Sequence, residues 1–183
     1  MPDLAKTALK QSELIDALDT LGVLFLRGGS GIPKTLAPDA LMAALATSPE
    51  ARLRVALIPL LLAHPEFAEN ATEALQVLPS DAALVLRCYY TAAHWLQAKY
   101  RTRIATLCGD QPALPDLFGE ELGLLGESRP DSALRSLARC QQKLSGREIN
   151  WLGTYEHAVQ SWLRFMENED RWKRSPLIIS TLS

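Results

Sequence analysis

The stretch SDAALVLRCYYTAAHWLQAKYRTRIATLCG, residues 80–109, decides the fold, because it is the longest helical segment that the sequence predicts. Ser80 is placed to cap this helix and Gly109 to end it. Apolar side chains recur along it at helical spacing and form one stripe: Val85, Tyr89, Ala92, Leu96, Tyr100, Ile104 and Leu107. Other helices must cover a stripe of this length, so the sequence predicts a helical bundle.

Helical patterns also dominate the segments on both sides of this stretch. The predicted helices cover residues 12–22, 38–46, 48–64, 65–78, 130–146 and 147–170. Pro59 should kink or break the third of these near Ile58. The two β-like runs, VLFLR (23–27) and LIIST (177–181), predict at most a small two-stranded pairing between the N-terminal and C-terminal regions. We therefore expect an all-α single domain over residues 1–183, built from six or seven helices.

Residues 110–130, DQPALPDLFGEELGLLGESRP, are rich in proline and glycine and show no long period, which is typical of a connector. This connector is too apolar to be a disordered linker. Its large apolar side chains should pack on the core: Leu114, Leu117, Phe118, Leu122, Leu124 and Leu125. Residues 171–183 form a C-terminal tail, with a basic patch followed by a short β-branched run.

The bulk composition points to no particular partner. The chain has 183 residues, 48% hydrophobic and 22% charged, with a net charge of −2. Three separated cysteines without C-x-x-C spacing argue against disulfides or a thiolate zinc site, and the histidines lack metal-ligand spacing. The longest apolar run, residues 55–63, is too short to cross a bilayer. We expect a cytoplasmic protein of bacterial type, without membrane contact, metal or cofactor.

The stretch RGGSGIPKT, residues 27–35, resembles the phosphate-binding loop G-x-x-x-x-G-K-[ST], except that Pro33 replaces the second glycine. Such loops hold phosphate with backbone N–H groups, and proline has none. The following segments are helical, whereas a phosphate-loop domain needs a parallel sheet. The sequence therefore predicts a glycine-rich turn, and it leaves open whether residues 28–31 carry another function.

Arg87, His94 and Arg101 are spaced seven residues apart, so they line up on the long helix, roughly opposite its apolar stripe. The segment RCYYTAAH, residues 87–94, resembles the Arg-x4–6-His pattern of HEPN domains, which are small helical proteins and in many cases ribonucleases. The resemblance would imply a proton-transfer role for His94 and a phosphate-orienting role for Arg87. The alternative is a solvated helix face that carries a tolerated histidine.

Basic and aromatic side chains outline a further candidate surface. Arg135, Arg139 and Lys143 recur every four residues and form a basic row on one helix, which could contact phosphates or simply be solvated. Tryptophans at helix edges are typical of interface anchors, and more often they form the rim of a core. The candidate interaction residues are Trp95, Arg101, Arg135, Arg139, Lys143, Trp151 and Trp172.

The sequence leaves three functions open. It contains no recognisable catalytic constellation, which favours a non-catalytic helical interaction or regulatory protein, with another protein or a second copy as partner. The first alternative is a HEPN-like RNA-binding or ribonuclease-type domain that uses Arg87 and His94. The second is a small-molecule-binding helical bundle with a pocket between helices, near residues 28–31 or the connector 110–130.

Overall fold

The computed structural model describes residues 9–23 and 28–174, and all regular secondary structure in these residues is helical. The elements are α1 (Gln11–Thr20), α2 (Pro38–Thr47), α3 (Ala51–Val55), α4 (Leu57–Ala63), the 3₁₀-helix η1 (Pro65–Asn70), α5 (Ala71–Gln76), α6 (Ser80–Lys99), α7 (Arg101–Cys108), α8 (Pro130–Ser145) and α9 (Trp151–Arg174). At most one residue separates α3 from α4, η1 from α5 and α6 from α7, whereas the backbone leaves the helical region at His64, between α4 and η1. The described chain thus runs as seven helical stretches, and the all-α prediction is confirmed.

Helix α6 lies at the centre of the bundle. It packs most extensively against α8 and α4, and it also contacts α2 and α9. The face opposite its apolar stripe is buried too, because Tyr90 is 0% exposed and Thr91 is 1% exposed. The expected solvated face of this helix is therefore absent over most of its length, and the prediction of one on this side was wrong.

Helix α4 forms the second buried element, and Pro59 explains where it begins. All of its residues from Leu57 to Leu62 are buried. Proline lacks an N–H, and its ring collides with the carbonyl four residues earlier, which here belongs to Val55. The helix is interrupted at Ala56, immediately after that residue. The predicted break is confirmed, two residues before its expected position.

The ends of the long central segment differ in detail from the prediction. Pro79 is the N-cap of α6, so Ser80 is the first helical residue rather than the cap. The segment is interrupted at Tyr100, whose hydroxyl donates to Glu156 Oε2 on α9 at 2.6 Å. Gly109 ends α7 with a φ of 77°, a value that favours glycine, as predicted.

The connector of residues 110–130 covers the face of α6 that the sequence left uncovered. Tyr90 on α6 donates its hydroxyl to Pro115 O at 3.0 Å, and Gln97 accepts from Leu114 N–H at 2.7 Å. Four of its apolar side chains are buried, as predicted: Leu114, Phe118, Leu122 and Leu124. The expectation was wrong for Leu117 and Leu125, which are 39% and 75% exposed.

Two expectations fall on parts of the chain that the structure does not describe. The proposed β pairing involves residues 23–27 and 177–181, and all of these except Val23 lie outside the described residues. The expected tail of residues 171–183 begins too early, because residues 171–174 belong to α9, and its remainder beyond Arg174 lies outside the described residues. Within residues 9–23 and 28–174, no helix combines the length and the apolar character needed to cross a membrane.

Candidate functional site

The glycine-rich loop of residues 28–31 binds a carboxylate of the chain itself, that of Asp16 on α1. Ser30 donates to Asp16 Oδ2 through its backbone N–H at 3.1 Å and its hydroxyl at 2.5 Å, and Gly31 N–H donates to Oδ1 at 3.0 Å. A Cβ added to Gly29 would lie 2.4 Å from Asp16 Oδ1, so the loop needs glycine there. The N–H groups that a phosphate would require are directed at Asp16, in agreement with the predicted turn.

Lys34, three residues after this loop, is also bound to α1. Lys34 Nζ lies 3.0 Å from Glu13 Oε1, and the Lys34 backbone N–H donates to Thr20 Oγ1 at 3.1 Å. Backbone hydrogen bonding from Lys10 and the contact with Lys34 lower the pKa of Glu13. The loop is thus an internal anchor for α1.

Arg87 and His94, the residues of the HEPN-like pattern, both hold the connector. Arg87 Nε lies 2.9 Å from Glu121 Oε2, and the Arg87 side chain is 33% exposed. His94 Nδ1 donates to Leu114 O at 2.7 Å, so its proton sits on that nitrogen in the neutral ring. Arg101 is exposed on α7. These contacts give Arg87 and His94 a structural role and leave the ribonuclease alternative a prediction.

The other two histidines lie apart from each other. His64 Nε2 lies 2.7 Å from Leu21 O, and His64 Nδ1 lies 3.0 Å from Glu66 Oε1. His157 is exposed on α9, 3.4 Å from Ser161 Oγ. Within the described part of the chain, no three histidine, cysteine, aspartate or glutamate side chains come together as a metal site would require.

The candidate interaction residues do not form one surface. Trp151 and Trp172 stand at opposite ends of α9, about 30 Å apart by the rise of an α-helix. Trp172 is 79% exposed, whereas Trp151 is 8% exposed and belongs to the rim of the core. Trp95 is half-buried on α6 against His94. Side chains of the basic row are exposed, as the solvated-face alternative expects: Arg135, Arg139 and Lys143.

A groove of about 640 Å³ lies where five helices meet, and we call it the α6–α8 groove. The end of α2, the short α3, the start of α6, the end of α8 and the start of α9 form its walls. Trp151, Leu84 and Val85 supply apolar wall, and Leu144, which is 55% exposed, stands at the rim. Volumes of this size are typical of small-molecule sites.

Two polar side chains in this groove are almost fully buried. Tyr89 is 3% exposed, and its hydroxyl makes no hydrogen bond to any described residue. Gln141 is 1% exposed, and its Oε1 accepts from the Tyr155 hydroxyl. The Gln141 amide nitrogen has no partner within the described residues. Burial raises the pKa of Tyr89 to about 12, against the opposing effect of the Arg54 guanidinium.

Two arginines flank these buried groups. Arg54 Nη1 donates to Ser48 O at 2.7 Å and to Pro49 O at 2.8 Å, which fixes its guanidinium at the wall of the groove. Arg147 is exposed, and its guanidinium contacts no described carboxylate. Asp81 is the single acidic side chain among the described residues that line the groove.

A second, smaller cleft lies beside the connector. Its volume is about 180 Å³, and His94, Arg101 and Gln111 line it. It is therefore too small for most ligands of drug or nucleotide size. Gln111 Nε2 donates to Ala63 O at 3.2 Å, which ties the start of the connector to the end of α4.

Sequence reasoning missed the groove and its two buried polar residues. Helical spacing places Tyr89 on the apolar stripe of α6, where its hydroxyl is a signal that one end of the side chain needs a partner. Gln141 follows Leu134 and Leu137 at core spacing on α8, and a polar residue in that position was a second signal. Arg54 gave no signal, because its position depends on the interruption between α3 and α4.

Comparison with known proteins adds no relative to these observations. No protein family, no curated protein and no solved structure matches the chain. Function is therefore inferred from the geometry of the chain itself.

Proposed function

We propose that this chain is a non-catalytic helical binding protein of regulatory type, and that the α6–α8 groove receives the molecule to which it responds. One observation carries the proposal: the Tyr89 hydroxyl lines the groove on a side chain that is 3% exposed, and no described residue bonds to it. The hydroxyl is not among the polar side-chain atoms sealed from solvent in the described chain, so it opens into the groove, where water or a ligand must supply its hydrogen bond. A bound molecule would supply the hydrogen-bond partner that the Tyr89 hydroxyl lacks.

The chemistry of the groove supports binding over catalysis. With a pKa of about 12, Tyr89 keeps its proton near neutral pH and is a poor general base. No histidine or cysteine is among the described residues that line the groove. Asp81, the single carboxylate there, is exposed. General acid–base catalysis needs a pair of groups that can exchange protons near neutral pH, and these side chains do not supply one.

The groove favours the small-molecule form of this function over the two other possibilities. The interaction residues expected from the sequence are scattered, so they do not outline one protein-docking surface. Arg87 and His94 are occupied by the connector. A protein partner, a second copy and an RNA ligand stay predictions.

A native mass spectrometry experiment tests the proposal. The purified protein is incubated with the low-molecular-weight fraction of an extract of its own cells, and we expect one small molecule to bind at stoichiometric occupancy. Ser80→Trp places an indole at the exposed rim of the groove and should reduce that occupancy at least fivefold. Thr72→Trp, exposed on α5 away from the groove, is the matched control and should bind like the original protein.

Two results would contradict the proposal. The first is a complete absence of bound small molecules under native conditions. The second is equal occupancy of Ser80→Trp and Thr72→Trp, which would place the bound molecule elsewhere on the protein.

A further inference from the structure

We infer that the α6–α8 groove binds a small anionic molecule, one that carries a carboxylate or phosphate group on an apolar body of one or two rings. This inference rests on the proposed function and adds the chemical class of the ligand. It follows from the hydrogen-bonding character of the groove, from the helix end that opens into it and from its apolar wall.

The buried polar groups of the groove are donors. The Tyr155 hydroxyl donates to Gln141 Oε1, which orients the amide and leaves its nitrogen free to donate. The Tyr89 hydroxyl keeps its proton near neutral pH and can donate as well. Arg54 lies close enough to act on that hydroxyl electrostatically, and it has donors left beyond those directed at Ser48 and Pro49. These donors fit a ligand that is rich in acceptors.

Helix α6 adds further donors at the same place. Its N-cap is Pro79, and no side chain caps the helix. The backbone N–H groups of Ser80, Asp81 and Ala82 have no hydrogen-bond partner among the described residues, and all three residues line the groove. The N-terminus of a helix carries a partial positive charge that favours anions. The Tyr89 side chain, which is 3% exposed and has no hydrogen-bond partner among the described residues, points independently to a ligand in the same groove.

The charges of the groove favour an anion, with Arg54 and Arg147 set against Asp81 alone. The Arg147 guanidinium has no carboxylate partner within the described residues, so an incoming anion would not have to displace one. Planar guanidinium groups suit carboxylate and phosphate oxygens, because they can donate two parallel hydrogen bonds.

The apolar wall of the groove indicates that the rest of the ligand, beyond its anionic group, is apolar. Trp151, Leu84 and Val85 face the groove, and Leu144 at its rim exposes 55% of its surface. A bare phosphate would leave this wall and most of the 640 Å³ unfilled. The donors that would specify the ligand, Tyr89 and Gln141, are at least 97% buried, so a compact ligand end must reach them.

Phenyl phosphate is the probe for this inference, because it joins a phosphate to one ring. Inorganic phosphate supplies its anionic half, and benzyl alcohol stands in for its neutral, ring-bearing half. Isothermal titration calorimetry should show phenyl phosphate binding at least tenfold more tightly than either half. Raising the salt concentration should weaken that binding, since the charged rim is exposed to solvent.

Two pairs of variants assign the binding to the groove. Tyr89→Phe and Arg147→Gln should each weaken phenyl phosphate binding at least fivefold. The matched controls are Tyr90→Phe, whose hydroxyl bonds to the connector, and Arg135→Gln on the exposed row of α8, and both should bind like the original protein. Tyr89→Phe removes a hydroxyl that bonds to nothing in the described chain, so its thermal stability should not fall, whereas that of Tyr90→Phe should.

The outcomes separate this inference from the proposed function. If benzyl alcohol binds as tightly as phenyl phosphate, or if Arg147→Gln leaves phenyl phosphate affinity unchanged, the anionic class is wrong. A neutral small molecule that still binds wild-type protein and is excluded by Ser80→Trp would then leave the proposed function standing. If neither the probes nor the cell extract yields any groove-bound molecule, both ideas fail.

Discussion

Asp16 accepts three hydrogen bonds from the glycine-rich loop, and these lower its pKa. The hydrogen bond from the Ser30 side chain lowers it most, burial acts in the opposite direction, and the backbone N–H groups of Ser30 and Gly31 lower it further. An aspartate in the unfolded chain titrates near pH ~3.9. The folded value is lower, so the stabilisation is complete above about pH 4 and is lost as the pH falls through the folded value.

We therefore expect Asp16→Asn to lower the urea midpoint at pH 7, and the difference from the original protein to shrink toward pH 3. Asp19→Asn, an exposed carboxylate on the same helix, is the control and should change little at either pH. Urea unfolding followed by circular dichroism at the two pH values measures this. A difference that grows on acidification would show that the Asp16 carboxylate does not stabilise the loop.

The turn at residues 28–31 could be predicted from Pro33 and the helical surroundings, but its carboxylate partner could not. Asp16 lies 14 residues before Ser30, and nothing in the local pattern links them. The same holds for Tyr89. Helical spacing predicts that its ring lies in the core, but it does not predict what surrounds its hydroxyl. Side-chain partners from distant elements depend on the packing of the whole bundle.

At the scale of the elements, the connector of residues 110–130 contains leucines that differ greatly in solvent exposure. Leu122 is 5% exposed and Leu125 is 75% exposed. Truncating a buried leucine to alanine costs about 2–5 kcal/mol of unfolding free energy, whereas surface substitutions usually stay within about 0.5 kcal/mol. Leu122→Ala should therefore lower the free energy of unfolding by at least about 2 kcal/mol, and Leu125→Ala should leave it nearly unchanged.

Equilibrium unfolding in urea of the two single variants measures this contrast. Equal, small effects would mean that the connector does not belong to the core.

The helices themselves were predictable from their period, and Pro59 correctly indicated a break. The position of the connector could not be predicted in this way, because an irregular segment has no period. The α6 residues that hydrogen-bond to the connector, such as Tyr90 and His94, also occur on solvated helix faces. Their residue types therefore did not indicate that the connector covers them.

At the scale of the molecule, α6 packs against helices from both halves of the chain, whereas α1 packs mainly against α2. The α6–α8 groove arises from this arrangement, because the ends of several helices meet around the first turns of α6. No single segment of the sequence contains the groove. Its residues come from five helices and the turns beside them, so composition and periodicity could predict the bundle but not the site.

The same arrangement predicts how the protein opens. Elements with few neighbours open locally at lower free energy than the central ones. Native-state hydrogen exchange should therefore show weaker protection for the α1 amides than for those of α4 and α6. Since Asp16 links α1 to its loop, Asp16→Asn should lower protection in α1 while leaving the amides of α6 unchanged. Equal protection of α1 and α6, with both lowered together by Asp16→Asn, would instead mean that α1 opens only when the whole bundle unfolds.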